Sequence, residues 1–355
     1  MSNATLFDSL GVLMPDLLPA LMSESASARI CLAAQQLPPI TRGLLECRLA
    51  ADSPQVDLQQ NFHATDGEPE QFQKYIEMRT TLTKARTAWI RLSNFIRRWV
   101  TETDWRDHIP EIWCEYDLAG SNNLATPSVF IALPSNLAPA ERWLFIEEVL
   151  TILLEPSHWQ RVKSVVNMCF QACAGDEWVA YLGLMLARPT KALRVNVKRL
   201  TPATLGAYLE RVNWTGAIDT TLSLAQRLWP YLDRFTLALD VDTRVQPQLG
   251  LECVSKDWPT FLNELVRDEL CAPAKREGAL RWPGLTTPAT TAAPWPAPLA
   301  ARAVLRSPET FTTLAREISH VKLTLTPTAP TSAKIYLAFT HQWLTLTHAE
   351  PTSHL

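Results

Sequence analysis

Glycine is scarce in this chain: 11 among 355 residues, against 26 prolines. With so few, the glycine-dependent phosphate cradles are missing. There is no G-x-x-x-x-G-K-[ST] and no G-x-G-x-x-G, so phosphate-loop NTPase and dinucleotide-fold chemistry lose their backbone. H-E-x-x-H and G-x-S-x-G are absent as well, which removes the usual zincin and serine-hydrolase arrangements. Charge of one sign is also lacking. The 33 basic and 36 acidic residues leave a net −3, with no global pull toward nucleic acid or an anionic membrane. No apolar run is long enough to span a bilayer. The opening segment MSNATLFDSLGVLMPDLLPAL lacks a basic n-region and carries Asp8 and Asp16, so it reads as a helix and not as a signal peptide. The seven cysteines include no C-x-x-C pair; Cys169 and Cys173 are four apart in a helical stretch. The expectation is a reduced, cytoplasmic protein without a zinc site.

What is present is a repeat. Five segments share a plan of strand, turn rich in Pro, Asn, Asp or Thr, and strand: 43–62, 111–133, 178–200, 234–254 and 320–339. Each alternates with period two, the pattern of strands with one apolar face. Their turns are assigned Pro54, Asn122, Pro189, Pro247 and Pro327, where proline removes no ladder bond. Helical patterns separate them. Residues 69–103 place Phe72, Ile76, Leu82, Trp89, Leu92, Phe95, Ile96 and Trp99 near one side of a helix. Further helices are expected over 138–155, 158–172, 202–212, 218–232 and 257–270, and tryptophans such as Trp89, Trp99, Trp143 and Trp229 fall in such stretches. A Pro/Thr/Ala-rich segment, 282–298, reads as an irregular internal loop inside a single domain spanning 1–355.

Strand parity then assigns faces. Leu45, Cys47 and Leu49 oppose Glu46 and Arg48; Leu193, Val195 and Val197 oppose Arg194, Asn196 and Lys198. Val321, Leu323 and Leu325 oppose Lys322 and Thr324; Ile335, Leu337 and Phe339 oppose Lys334 and Tyr336. Amphipathic helices need an apolar sheet face to cover, so the polar faces must point away from them. The expected fold is α+β: a ten-stranded antiparallel barrel of five hairpins, surrounded by helices, with a wettable lumen and no free edges. An open two-layer sheet with water on its polar face is the competing arrangement.

This order of elements resembles the ABBA-type aromatic prenyltransferases, whose PT barrel repeats about five ααββ units around a solvent-filled lumen. The resemblance is architectural and spans nearly the whole chain. Glu46 in LLECR sits where the family often carries an acceptor-facing base, and Lys334-Ile-Tyr336 matches its Lys-x-Tyr spacing. Arg194-Val-Asn196-Val-Lys198 resembles the family's basic strand positions without the tyrosine, and only six tyrosines occur in the chain. The resemblance implies transfer of an allylic group from an isoprenoid diphosphate to an aromatic or peptide acceptor, as in natural-product biosynthesis. Such chemistry needs fixed positive charge for the leaving diphosphate, π-faces for the cation and a carboxylate for the acceptor proton. Arg48, Arg194, Lys198, Lys322 and Lys334 are the candidate cations. Tyr336, Trp113 and Tyr181 are the candidate aromatic wall, and Glu46, with Glu115 in reserve, the candidate base. No DDxxD-like motif is visible, so no cofactor is expected beyond Mg2+ accompanying the diphosphate.

A structural reading competes at each point. The same lumen would hold Glu46, Glu115, Asp117, Asp240 and Glu252, which could pair the cations off; Glu46 could simply bridge to Arg48. Trp113 and Tyr181 could be wall packing, and His320 and His341 surface or hydrogen-bonded histidines. The two functional expectations are therefore a prenyltransferase and a non-catalytic barrel of the same build that binds a peptide or small metabolite. Their discriminator is whether Arg194, Lys198, Lys322 and Lys334 converge on one point or each face a carboxylate.

Overall fold

Strand β1 (Arg42–Arg48) and β2 (Val56–His63) form the first hairpin, β3 (Glu111–Tyr116) and β4 (Ser128–Ala132) the second, β5 (Trp178–Leu184) and β6 (Leu193–Lys198) the third. The fourth is β7 (Leu232–Val241) with β8 (Val245–Ser255); a short β9 (Gly284–Thr286) precedes the last, β10 (Thr310–Leu325) with β11 (Ser332–Thr345). The computed structural model describes residues 5–65, 67–82, 86–118, 126–186, 192–304 and 310–345. The expected turn residues Asn122 and Pro189 lie outside the described residues.

Every neighbouring pair of strands is antiparallel, and β11 bonds both β10 and β1, which closes a ten-strand ring; β9 is appended to β10 outside it. Closure satisfies the backbone groups that an open sheet would leave at two edges. The apolar strand faces point outward. Leu45, Cys47, Val195, Val197, Leu323 and Leu337 are fully buried in one continuous core. Helices α1 (Leu6–Leu13), α2 (Glu24–Ala34), α3 (Glu68–Leu82), α4 (Arg86–Thr101), α5 (Thr103–His108) and α6 (Pro139–Leu153) cover part of the ring. Helices α7 (Pro156–Gln171), α8 (Pro202–Arg211), α9 (Ile218–Leu228), α10 (Trp258–Arg267), α11 (Pro273–Arg281) and α12 (Ala297–Val304) follow. The single helix expected over 69–103 is thus two helices, α3 and α4, with α5 after them. Their apolar stripes still meet the barrel: Phe72 stacks on Phe62 at 4.0 Å, and Trp89, Phe95 and Trp99 are fully buried.

The proline surplus has a structural use. Helices α6, α7, α8, α10 and α11 each carry proline in the first two positions, where the missing N–H was unpaired anyway and the fixed φ suits the helix. Two expectations are corrected. Pro247 lies inside β8 and not in the turn; the ladder shifts register opposite it, between Leu239 and Val241, so the proline occupies a bulge. The 282–298 segment begins with buried Trp282 and the strand β9 paired to β10, so its first residues belong to the packed structure. The last hairpin is also longer than its 320–339 pattern: β10 and β11 run on as a ribbon to the pair Thr310 and Thr345.

Candidate functional site: the barrel lumen

The inward faces of the ten strands enclose two chambers that share Glu115, Lys322 and Tyr336. The first, about 140 Å³, is lined by Glu46, Arg194, Asp240, Gly250, Thr324 and Lys334 among others. The second, about 220 Å³, is lined by Trp113, Phe130, Tyr181, Asn196, Lys198, Glu252 and His320 among others. Both are below the usual span of about 300–1,000 Å³ for a ligand site, so each chamber by itself has room for one small group.

All of the predicted site residues except Arg48 line one of these chambers, as the parity of their strands implies; Arg48 lines neither and meets Glu46. What they do there is pair. Glu46 on β1 is almost fully buried, and three groups converge on it. Lys334 Nζ donates to Oε1 at 2.7 Å, Tyr336 Oη donates to Oε2 at 2.6 Å, and Arg48 Nη1 also donates to Oε1. Burial alone would raise the Glu46 pKa, but the adjacent Lys334 and Arg48 charges pull it well below the usual carboxylate range. Arg48 also donates to Asp57 Oδ2 at 3.0 Å, while the Leu118 N–H donates to the other Asp57 oxygen at 2.9 Å.

Arg194 on β6 faces Asp240 on β7 directly across the ladder and binds it through two hydrogen bonds, 2.8 and 3.0 Å. Lys322 on β10 bonds Glu252 of β8 at 2.9 Å. That lysine lies flat across Gly250, where a Cβ would stand 2.6 Å from its Cε, so the missing side chain makes room for the bridge. Asn196 adds its amide N–H to both Glu252 oxygens at 3.2 Å. Burial disfavours the charged form of Lys322, and nearby Arg194 disfavours it further; Glu252 in return is held below its ordinary pKa by Lys322 despite its own burial. Lys322 and Lys334 are cross-strand neighbours, a like-charge pair that is tolerable because each has its own carboxylate.

Glu115, the reserve base, is buried and accepts a bond from Gln59 Nε2 at 3.1 Å. Asp117 follows the end of β3 and is not among the residues lining either chamber. Tyr181 donates its hydroxyl to Glu111 at 2.5 Å, and Asn61 donates to the other Glu111 oxygen at 3.1 Å. These bonds, with His63 nearby, hold Glu111 down to about 2 against the upward push of burial. Lys198 differs from the other cations. Its Nζ sits 4.8 Å from the centre of the Tyr181 ring, and among the described residues it has no ion pair with a carboxylate.

Of the two expectations for His320, surface or hydrogen bond, the second holds, and the residue also lines the second chamber with its ring stacked on Tyr336 at 4.1 Å. A register shift between Ile318 and His320 turns both Ser319 and His320 inward, and the Ser319 hydroxyl lies 3.0 Å from His320 Nδ1. Burial lowers the His320 pKa to about 4, so the ring is neutral at pH 7. A group whose folded pKa lies below its unfolded value lets the unfolded chain bind more protons. Stability is therefore full above the ordinary histidine pKa of about 6.5 and falls as pH drops from there toward 4. His320→Gln is expected to flatten the pH 4–6.5 stretch of a denaturation-midpoint profile; an unchanged slope there would assign the loss to other groups.

Sequence reasoning missed Gln59, Phe130 and Arg234 as lining residues, and Asp57, Asn61 and Glu111 as the hydrogen-bond partners of site residues and of one another. Parity along β2, with Leu58 and Phe62 outward, was the available signal for its three. Among the described residues, no group of three His, Cys, Asp or Glu side chains is arranged to hold a metal ion, and no helix is long and apolar enough to cross a membrane.

No family model and no curated protein matches the sequence. Solved structures do match in shape. The 5-dimethylallyltryptophan synthase from Streptomyces coelicolor aligns with TM-score 0.56 at 13% identity over 95% of this chain and 98% of that one. The same synthase in complex with DMASPP and Trp gives TM-score 0.52 at 15% identity over 95% of each chain. The prenyltransferase PriB, in ternary complex with L-tryptophan and dimethylallyl thiolodiphosphate, gives TM-score 0.57 at 12% identity over 94% and 96%. With five hairpins closed into one ring and likeness of this extent along almost the entire chain, the protein has the PT-barrel fold of the ABBA-type aromatic prenyltransferases.

Proposed function

We propose that this chain is a ligand-binding PT barrel, in which the joined chambers hold a small organic molecule, or one side chain of a peptide, without net charge. The observation that carries this reading is the commitment of the lumen cations. Arg194, Lys322, Lys334 and Arg48 are each bonded to a carboxylate already in place. An incoming diphosphate would have to displace Asp240, Glu252 or Glu46. Separating one partner from a buried pair costs about 3–5 kcal/mol, and the displaced carboxylate would remain beside the new anion. A neutral guest avoids that cost and still gains contact with Trp113, Phe130, Tyr181, His320 and Tyr336 in the second chamber.

Prenyl transfer is the second reading, favoured by the aromatic wall and by Lys198, which among the described residues has no competing carboxylate bond. In it the allylic C–O bond breaks and the diphosphate leaves with the electron pair toward Lys198, Arg194, Lys322, Lys334 and Arg48. The acceptor forms a bond to the allylic carbon and gives its proton to Glu46 or Glu115. Glu46 suits that task poorly: both oxygens are bonded and its pKa is depressed, whereas a base at neutral pH works best with a pKa near 7. Isoprenoid diphosphate and an aromatic or peptide acceptor would be the partners, with Mg2+ entering only with the diphosphate, in a cytoplasmic natural-product pathway. The test is calorimetric titration with dimethylallyl diphosphate, with and without L-tryptophan, followed by assay of released pyrophosphate. The expected result is no saturable binding up to about 1 mM, a ceiling of about −4 kcal/mol, and no release. Saturable binding with turnover would replace the first reading by the second.

A further inference from the structure

We propose that Lys198 is a nucleophilic amine that captures aldehyde-bearing ligands in the aromatic chamber as an imine. The inference rests on the ligand-binding reading of that chamber. Three features of the surroundings support it. The first is isolation: among the described residues Lys198 has no ion pair with a carboxylate, whereas Lys322 and Lys334 are held by Glu252 and Glu46. The second is the wall. Lys198 lines the 220 Å³ space with Trp113, Phe130, Tyr181 and Tyr336, enough for one small aromatic group beside the amine. The third is a neighbouring cation: Arg234 lines the same chamber and is close enough to oppose the charged form of Lys198. A lysine desolvated beside aromatic surface and next to another cation is the arrangement that frees an amine for carbonyl chemistry.

The charged groups facing Lys198 act in both directions. Burial disfavours its ammonium most, Glu111 of β3 and Glu252 of β8 favour it, and Arg234 of β7 disfavours it; the balance is a lowered pKa. The Tyr181 face favours the cation, and its hydroxyl is bonded to Glu111. The step balances without a further reactant. The free amine nitrogen forms a bond to the aldehyde carbon, the carbonyl oxygen takes up two protons and leaves as water, and a C=N bond remains. The protons come from the amine nitrogen and are exchanged through water at the chamber mouth.

The experiment exposes the intact protein to benzaldehyde with cyanoborohydride at pH 7 and maps benzyl adducts by peptide mass spectrometry. Lys198 is expected to label at least about tenfold faster than any other lysine, and Lys198→Arg to abolish that site while leaving the background unchanged. Labelling spread evenly over surface lysines, or unaltered total labelling in Lys198→Arg, would overturn the inference. Benzyl alcohol, which fits the same space and forms no imine, is titrated in parallel and followed through the His320 ring resonances. Benzyl alcohol binding without selective labelling of Lys198 defeats the covalent inference and leaves the chamber reading standing. Absence of both defeats the two together.

Discussion

Replacing Asp240 with Asn and Glu252 with Gln in one variant is expected to convert a lumen that rejects pyrophosphate into one that binds it. In the native chain these carboxylates neutralise Arg194 and Lys322, which line the first chamber together with Lys334. The amides keep the shape of the acids and can still accept one hydrogen bond each, but they cancel no charge. Two buried cations are then left beside a third, and the variant should be destabilised by several kcal/mol, since unpaired buried charge costs about 3–5 kcal/mol per broken pair. That penalty is the driving force for anion uptake. A ligand that binds only the folded state raises stability by RT ln(1 + [L]/Kd), about 2.7 kcal/mol at a hundredfold excess over Kd. The melting temperature of the variant should therefore rise steeply with added pyrophosphate and less so at high salt, while the native protein should not respond. Equal responses from both would mean that the carboxylates do not exclude the anion, and the prenyl-transfer reading would gain.

The fold was legible because one rule, alternation with period two, reports the same thing ten times. Where a strand alternates cleanly, as in Leu193 to Lys198 or Lys334 to Leu337, the sequence assigns each side chain to the lumen or the core, and the structure agrees. Alternation fails at two kinds of place. Gln60 stands at an outward position of β2 and looks like a break in the pattern; it is buried because its amide donates to the Pro38 and Ile40 carbonyls, both at 2.8 Å. Ser319 interrupts β10: His320 keeps the inward parity of Lys322 and Thr324, but the extra residue brings Ser319 onto the lumen wall as well, which no count by twos reveals without the partner strand. The site was legible as a list and not as an arrangement. The five cations could be named from parity, and so could three of the acids that meet them, Glu46, Asp240 and Glu252. Which acid meets which cation depends on register across strands far apart in sequence, such as Lys334 with Glu46 or Lys322 with Glu252, and only the closed ring supplies it. Lys198 stands out for the same reason: its place over the Tyr181 ring, with no carboxylate ion pair among the described residues, is not legible from parity.

Glu46 carries the second large effect, expected in stability. It is 2% exposed, and Lys334, Arg48 and Tyr336 all donate to it, so it joins β11 to β1 at the seam where the ring closes. A surface ion pair would be worth about 0–1 kcal/mol. Removing the shared acceptor of a buried cluster is another matter, because Lys334 loses its counter-charge and Arg48 is left with Asp57 alone. Glu46→Gln is expected to cost about 3–5 kcal/mol in urea-denaturation free energy, toward the lower end because Arg48 and Lys334 are each about a fifth exposed. Adding Lys334→Met should recover part of the loss, since groups within one network are not additive. The pH dependence follows from the depressed pKa of Glu46. A carboxylate whose folded pKa lies below its unfolded value contributes its full stability above the ordinary value near 4.5, and that contribution is lost as pH falls below it. The native protein should lose stability through that acid range more steeply than Glu46→Gln, the two profiles converging as pH falls. A cost under about 1 kcal/mol with parallel profiles would show that Glu46 does not hold the seam, and would leave it free for the proton transfer that prenyl chemistry requires.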